Sequence, residues 1–416
     1  MLKFSLMLAS AVCACLNLSA ALAVDGVTVV PHRPWDKQVD VFVKLSGAED
    51  ETEYKVQLTA NYTGCPTGGL VAKALAGDPV VKGNGTHRLV WNLDQDAPGL
   101  IADNFTVTAD VTPFAATDPV YLVIDLSAGP TATSYPTRYS FVAPDLSDDM
   151  CRTTELWLKR VPAGTFTMGK GTGGSDALAA HAVKLSKPFY MAVFPTTQKQ
   201  WERVMGAWPS YFTNAAYRDV RPVEQVVWSD VRGHNGWYSA GTPGSSTFIG
   251  KLRSRSGISG VEIPSNAQWE YVCRAGTTGD YYFNGEAGQV RAYARTAEWN
   301  GTFTNDPECD LTAGTAKVGS YPANPWGFYD FYGNVCQMVP DGASAANWSG
   351  LTFPDLTVDP RWAFESDKNY TFAGIRCGSN WMENPGQVFS ARRKWTQYQS
   401  MVADKGYGFR MCVNIE

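Results

Sequence analysis

The sequence predicts an all-β sandwich followed by an α+β domain with little regular structure. Three observations carry this reading. Residues 24–114 alternate apolar and polar side chains between turns rich in Gly, Asp and Pro. Beyond residue 154, two capping boxes open short helices. After Gly276 the chain is rich in Gly, Asn, Asp and aromatic residues and loses all periodicity. A chain of 416 residues suits two domains better than one.

In the first domain the alternation is clearest at 39–45, 54–58, 88–91 and 105–108, with turns at 83–85 and 94–99. Short, evenly spaced strands of this kind predict an immunoglobulin-like β-sandwich over 24–114, with a spacer or docking role. Residues 115–153 are strand-like around 120–126, then rich in Pro, Ser, Thr and Asp. They read as a linker carrying one or two strands, with the second domain over 154–416.

In the second domain, Thr197 and Gln200 form a capping box that opens a helix through Trp201 and Met205, stopped by Gly206. Phe248, Ile249 and Leu252 give one apolar face before Gly257. Ser265 and Gln268 form the second box. Trp269, Val272 and Cys273 supply its inward face, and Gly276 is the expected stop.

Charge and composition exclude several functions. The net charge is -5 and no basic cluster tracks a phosphate backbone, so nucleic acid is not an expected partner. Lys3, the apolar run 4–18 and the small-x-small site Ala21-Leu22-Ala23 read as a secretory signal peptide, 1–23, cleaved after Ala23. The run is shorter than the ~20 residues of a membrane helix, and no later segment is apolar enough to span a bilayer. The mature chain is therefore expected to be secreted, periplasmic or held at the cell surface. It keeps Cys65, Cys151, Cys273, Cys309, Cys336, Cys377 and Cys412. That number is odd and contains no CxxC, which disfavours a zinc site.

Six segments, in order, resemble the formylglycine-generating enzyme or sulfatase-modifying factor family. They are 157–169, ending Gly164-Thr165-Phe166-Thr167-Met168-Gly169; 187–201; Arg221-Pro222-Val223 through Trp228; 262–276 around Trp269-Glu270-Tyr271; 326–335 with Gly333-Asn334-Val335; and Ser390-Ala391-Arg392-Arg393 with Gly408-Phe409-Arg410. The resemblance implies a C-type-lectin-like core stabilised by calcium. It places calcium ligands at Asp330, Gly333, Val335 and Gln337, with Gln337 where the family has Glu. Such a ligand set of mixed oxygens suits calcium.

The family's oxidase chemistry needs Cu(I), a soft ion held by two thiolates. The corresponding interval, 380–389, contains no cysteine and offers only the thioether of Met382. Copper is therefore not expected. Cys336 and Cys377 could be a relocated metal pair or a disulfide, and the sequence leaves both open. Iron is not expected either: the related iron enzymes use three His, and of the four here His32 and His87 lie in the β module, leaving His181 and His234. The resemblance leaves a groove lined by Ser379, Trp381, Arg392, Trp395 and Tyr398, suited to an extended peptide or a glycan. The expected function is an exported binding module without formylglycine-generating activity. A divergent oxidoreductase and a surface display or adhesion protein are the alternatives.

Overall fold

Alternating burial organises the first unit, which runs to Phe114 in a computed structural model of the chain. The model describes every residue except 1–20, 33–35, 174–175, 234–240, 303–312, 344–353, 361–372, 398–402 and 416. Most of the expected signal peptide lies outside the described residues. Strand Gln38–Ser46 buries Val39, Val41, Val43 and Leu45, and strand Glu53–Asn61 buries Tyr54, Val56, Leu58 and Ala60. A period of two turns one face of each strand inward. Gln38–Ser46 pairs antiparallel with Ala23–Pro31 and with Gly85–Asn92. Glu53–Asn61 pairs antiparallel with Thr106–Pro113 in a second sheet. Trp91, fully buried, donates its indole N–H to Asp96 Oδ2 at 2.8 Å, and the same oxygen accepts the backbone N–H groups of Lys73 and Ala74.

The second unit starts at Ala115. Its main sheet has six strands among the described residues, ordered Thr137–Ser140, Tyr121–Asp125, Glu155–Val161, Phe189–Ala192, Cys412–Asn414 and Val261–Glu262. The segment 115–153, expected to be a linker, thus supplies two of them. The reason is burial: every residue of Glu155–Val161 is buried, so this strand needs a partner on each edge. Tyr121–Asp125 covers one edge, with Leu122 opposite Leu158, and Phe189–Ala192 covers the other.

Both capping boxes form as the sequence predicts. Thr197 Oγ1 accepts the Gln200 N–H at 3.1 Å, the Gln200 side chain returns to the Thr197 N–H at 3.0 Å, and Gly206 ends helix Gln198–Met205 at φ 79°. Ser265 and Gln268 do the same for helix Asn266–Arg274, which ends one residue early: Ala275, at φ 47°, takes the left-handed cap expected of Gly276. Trp269 on this helix packs edge-on against Phe331, with centroids 5.0 Å apart, inside the main core.

Candidate functional site

A small sheet carries the candidate site. Strand Cys336–Ala343 pairs antiparallel with Ala373–Cys377, which pairs antiparallel with Arg393–Gln397. Tyr407–Gly408 runs parallel to the first strand. The loop between Cys377 and Arg393 includes the cysteine-free interval.

The register decides the cysteine question. Gln337, not Cys336, lies opposite Cys377. Facing residues share one side of a sheet and neighbours along a strand alternate, so Cys336 and Cys377 point to opposite faces. Cys377 Sγ accepts the Asn266 side-chain N–H at 2.8 Å, and Cys336 Sγ lies 3.9 Å from Gly378 O. Both are fully buried and both are free thiols. Burial pushes the Cys336 thiol up to about 12 and the Cys377 thiol well above its ordinary range. Of the two readings the sequence leaves open, no Cys336–Cys377 disulfide is present in this structure, where each sulfur has its own partner.

The four residues expected to hold calcium do share one tight turn. Asp330 and Asn334 adopt positive φ, and Gly333 is required: a Cβ there would lie 2.2 Å from Arg295 O. The donor chemistry does not fit the ion. Gln337 Oε1 accepts the Trp269 indole N–H at 2.9 Å and Arg410 Nε–H at 3.0 Å, while Gln337 Nε2 donates to Asp330 O at 2.8 Å. Asp330 Oδ2 accepts the Gly319 N–H at 2.7 Å. The positive charge at this turn belongs to Arg410, fully buried and 4.2 Å over the Phe331 ring, whose ionisation burial pulls down to about 9. Gln337 Oε1 and Asp330 Oδ2, two of the side-chain oxygens that calcium would use, are already engaged with N–H donors.

The expected groove residues divide. Ser379 is fully buried and its hydroxyl accepts the Gly333 N–H at 3.2 Å. Trp381 is 3% exposed, donates its indole N–H to Lys405 O at 3.0 Å and packs edge-on against Phe212. Both brace the loop rather than line an opening. Arg392 reaches Asp176 at 3.4 Å and Glu383 at 3.9 Å. Trp395 lies opposite Ile375 in the sheet, and Tyr398 lies outside the described residues.

Sequence reasoning missed four further residues. Glu383 is buried within the loop and pairs with the Lys394 ammonium. Burial opposes the charge on Lys394, but the Glu383 carboxylate counters it, and the ammonium's pKa is raised. Arg376 lies 3.7 Å over the Tyr407 ring on the adjoining strands. Tyr211 is exposed beside the Phe212 that supports Trp381, with the Lys405 ammonium 5.4 Å from its ring. Trp299, also exposed, rests the six-membered part of its indole against Gly386, where a Cβ would come within 2.8 Å of the ring. Single aromatic residues in an aperiodic segment carry no sequence signal of exposure. Separately, a pocket of about 320 Å³ is lined by Leu185, Lys187, Pro188, Ser265, Gln268, Asp359, Asn414 and Ile415, and shares no residue with this loop.

The model of the sulfatase-modifying factor enzyme 1-like domain matches residues 146–415, well over half of the chain. The chain belongs to this family. Relatives within it include the formylglycine-generating enzyme of Thermomonospora curvata, 28% identical over 243 residues, covering 57% of this chain and 72% of the relative. The inactive C-alpha-formylglycine-generating enzyme 2 of Bos taurus is 24% identical over 273 residues, 55% of this chain and 90% of the relative. Against the Bos taurus formylglycine-generating enzyme the match spans 60% of the relative's length. Among solved structures, PvdO from Pseudomonas aeruginosa is similar with a TM-score of 0.47 at 21% identity, covering 62% of this chain and 95% of PvdO. Members of the sulfatase-modifying factor family thus include both active and inactive formylglycine-generating proteins. No helix among the described residues is long and apolar enough to cross a membrane.

Proposed function

We propose that this chain is an exported member of the family that lacks copper-dependent formylglycine-generating activity and binds an extended peptide or a glycan at the loop between Cys377 and Arg393. The observation that carries this reading is the sulfur inventory around the loop. Residues 380–389 hold no cysteine, and Cys336 and Cys377, on the strands that flank the loop, are buried on opposite faces of the sheet. A two-coordinate Cu(I) site needs two thiolates within reach of one ion. In their place the loop carries charged side chains, with exposed aromatic rings beside it, a composition suited to stacking and charge-assisted hydrogen bonds. The leader at 1–23 supports export, and the paucity of regular structure supports a C-type-lectin-like core. The test is incubation of the purified chain with copper, oxygen and a cysteine-containing sulfatase peptide. No conversion of cysteine to the aldehyde is expected by mass spectrometry; turnover would overturn the proposal.

A further inference from the structure

We infer that Glu383, Arg392 and Trp299 form the primary subsite of this loop and that it takes one ring of a neutral saccharide. This rests on the binding-module reading above and specifies its ligand.

Glu383 is 5% exposed, and its backbone oxygen accepts the Ala297 N–H at 3.0 Å, which ties the loop to the segment carrying Trp299. Oε1 of Glu383 faces Lys394 and Arg392. Oε2 is buried and receives no hydrogen bond from the described residues, and the buried Nε–H of Arg392 makes none. A folded protein rarely leaves a buried carboxylate oxygen without a donor, so each such group calls for a missing partner. Here one open acceptor and one open donor belong to two side chains whose neighbouring atoms, Arg392 Nη2 and Glu383 Oε1, lie 3.9 Å apart. A hydroxyl group both donates and accepts, so one sugar hydroxyl, or two on adjacent carbons, satisfies both atoms.

Charge selects the same class. Two carboxylates, Glu383 and Asp176, pair with two cations, Arg392 and Lys394, so the cluster has no net charge with which to draw a strongly anionic or cationic ligand. Trp299, 56% exposed, supplies a ring held at the side of the same loop by Gly386, three residues after Glu383. An exposed ring against the loop that carries a carboxylate and a guanidinium offers an apolar face and polar groups, the two kinds of surface that a sugar ring presents.

The chain is tested on one array carrying neutral oligosaccharides, sulfated and sialylated glycans, and random peptides. Binding to neutral oligosaccharides is expected. Glu383→Gln and Trp299→Ala should each weaken it by about tenfold or more, as the loss of a central contact does. Trp299 is exposed, so its variant folds even if the Glu383 variant does not. Binding confined to peptides or to anionic glycans overturns the saccharide subsite and leaves the binding module standing. Binding to nothing overturns both. Neutral-sugar binding that survives both substitutions removes these residues from the site.

Discussion

Arg410 donates its Nε–H to Gln337 Oε1 at 3.0 Å, and that same oxygen accepts the indole N–H of Trp269 at 2.9 Å. The remaining guanidinium nitrogens reach the backbone oxygens of Ala192, Val193, Tyr329 and Asp330. One fixed cation thus holds three segments of the domain at the turn where the family resemblance implies calcium.

The first prediction follows from that arrangement. The melting temperature of the wild-type chain should be the same in EDTA and in millimolar calcium. Arg410→Lys should lower stability by about 3 kcal/mol or more in urea unfolding, because an ammonium cannot span these acceptors and leaves several unpaired in the interior. A rise of several degrees on adding calcium to the wild type would show that the turn binds the ion after all.

The second prediction concerns the thiols. Iodoacetamide on the native protein should modify neither Cys336 nor Cys377, since both are fully buried and burial keeps both protonated at neutral pH. After unfolding without reductant, both should alkylate completely in a peptide map. A cross-linked Cys336–Cys377 peptide would contradict the register in which Gln337 faces Cys377.

The chain announced its family and its helix starts, and it withheld the side-chain partnerships. Thr197 and Ser265 were legible as caps because a capping box is a local device of four residues. The alternation at Val39, Val41 and Val43 was legible because a half-buried strand repeats every two residues. The Cys336–Cys377 relation was not, since pairing register is set by packing across segments distant in sequence. The same holds for Trp381. An aromatic residue beside a family groove motif reads equally as lining or as support, and only its contact with Phe212 and its bond to Lys405 O separate the two. Glu383 gave no signal at all, because a lone Glu in a loop is ordinarily solvated.

The third prediction tests the revised boundary. Residues 115–416 should be expressed as a soluble, folded protein, whereas 154–416 should aggregate. The shorter chain loses Tyr121–Asp125, whose buried Leu122, Val123 and Ile124 pair with Leu158, Trp157 and Leu156. It therefore exposes an apolar strand edge open to intermolecular pairing. Circular dichroism and size exclusion distinguish the outcomes; a folded 154–416 would restore the linker reading.

The fourth prediction is a pH dependence set by Glu224. This carboxylate is fully buried and accepts the backbone N–H groups of Tyr211 and Phe212 at 3.1 and 3.2 Å. Burial pushes it up to about 7 from an ordinary value of 4.5, against the opposing pull of those hydrogen bonds, of Ser210 and of Arg221. The folded state therefore holds a proton that the unfolded state releases between pH 4.5 and 7. The contribution of this group to stability is greatest below pH 4.5, falls as pH rises to about 7, and is flat above. The full swing is at most about 3 kcal/mol. Glu224→Gln cannot ionise, so its stability relative to wild type should climb by up to that amount between pH 4.5 and 7.5 in urea unfolding. The variant keeps one acceptor for Tyr211 or Phe212, so the loop that carries Phe212 against Trp381 should stay in place. A wild-type-to-variant difference that does not change with pH would mean that the Glu224 carboxylate ionises in the folded chain as it does in the unfolded one, with Arg221 offsetting the burial.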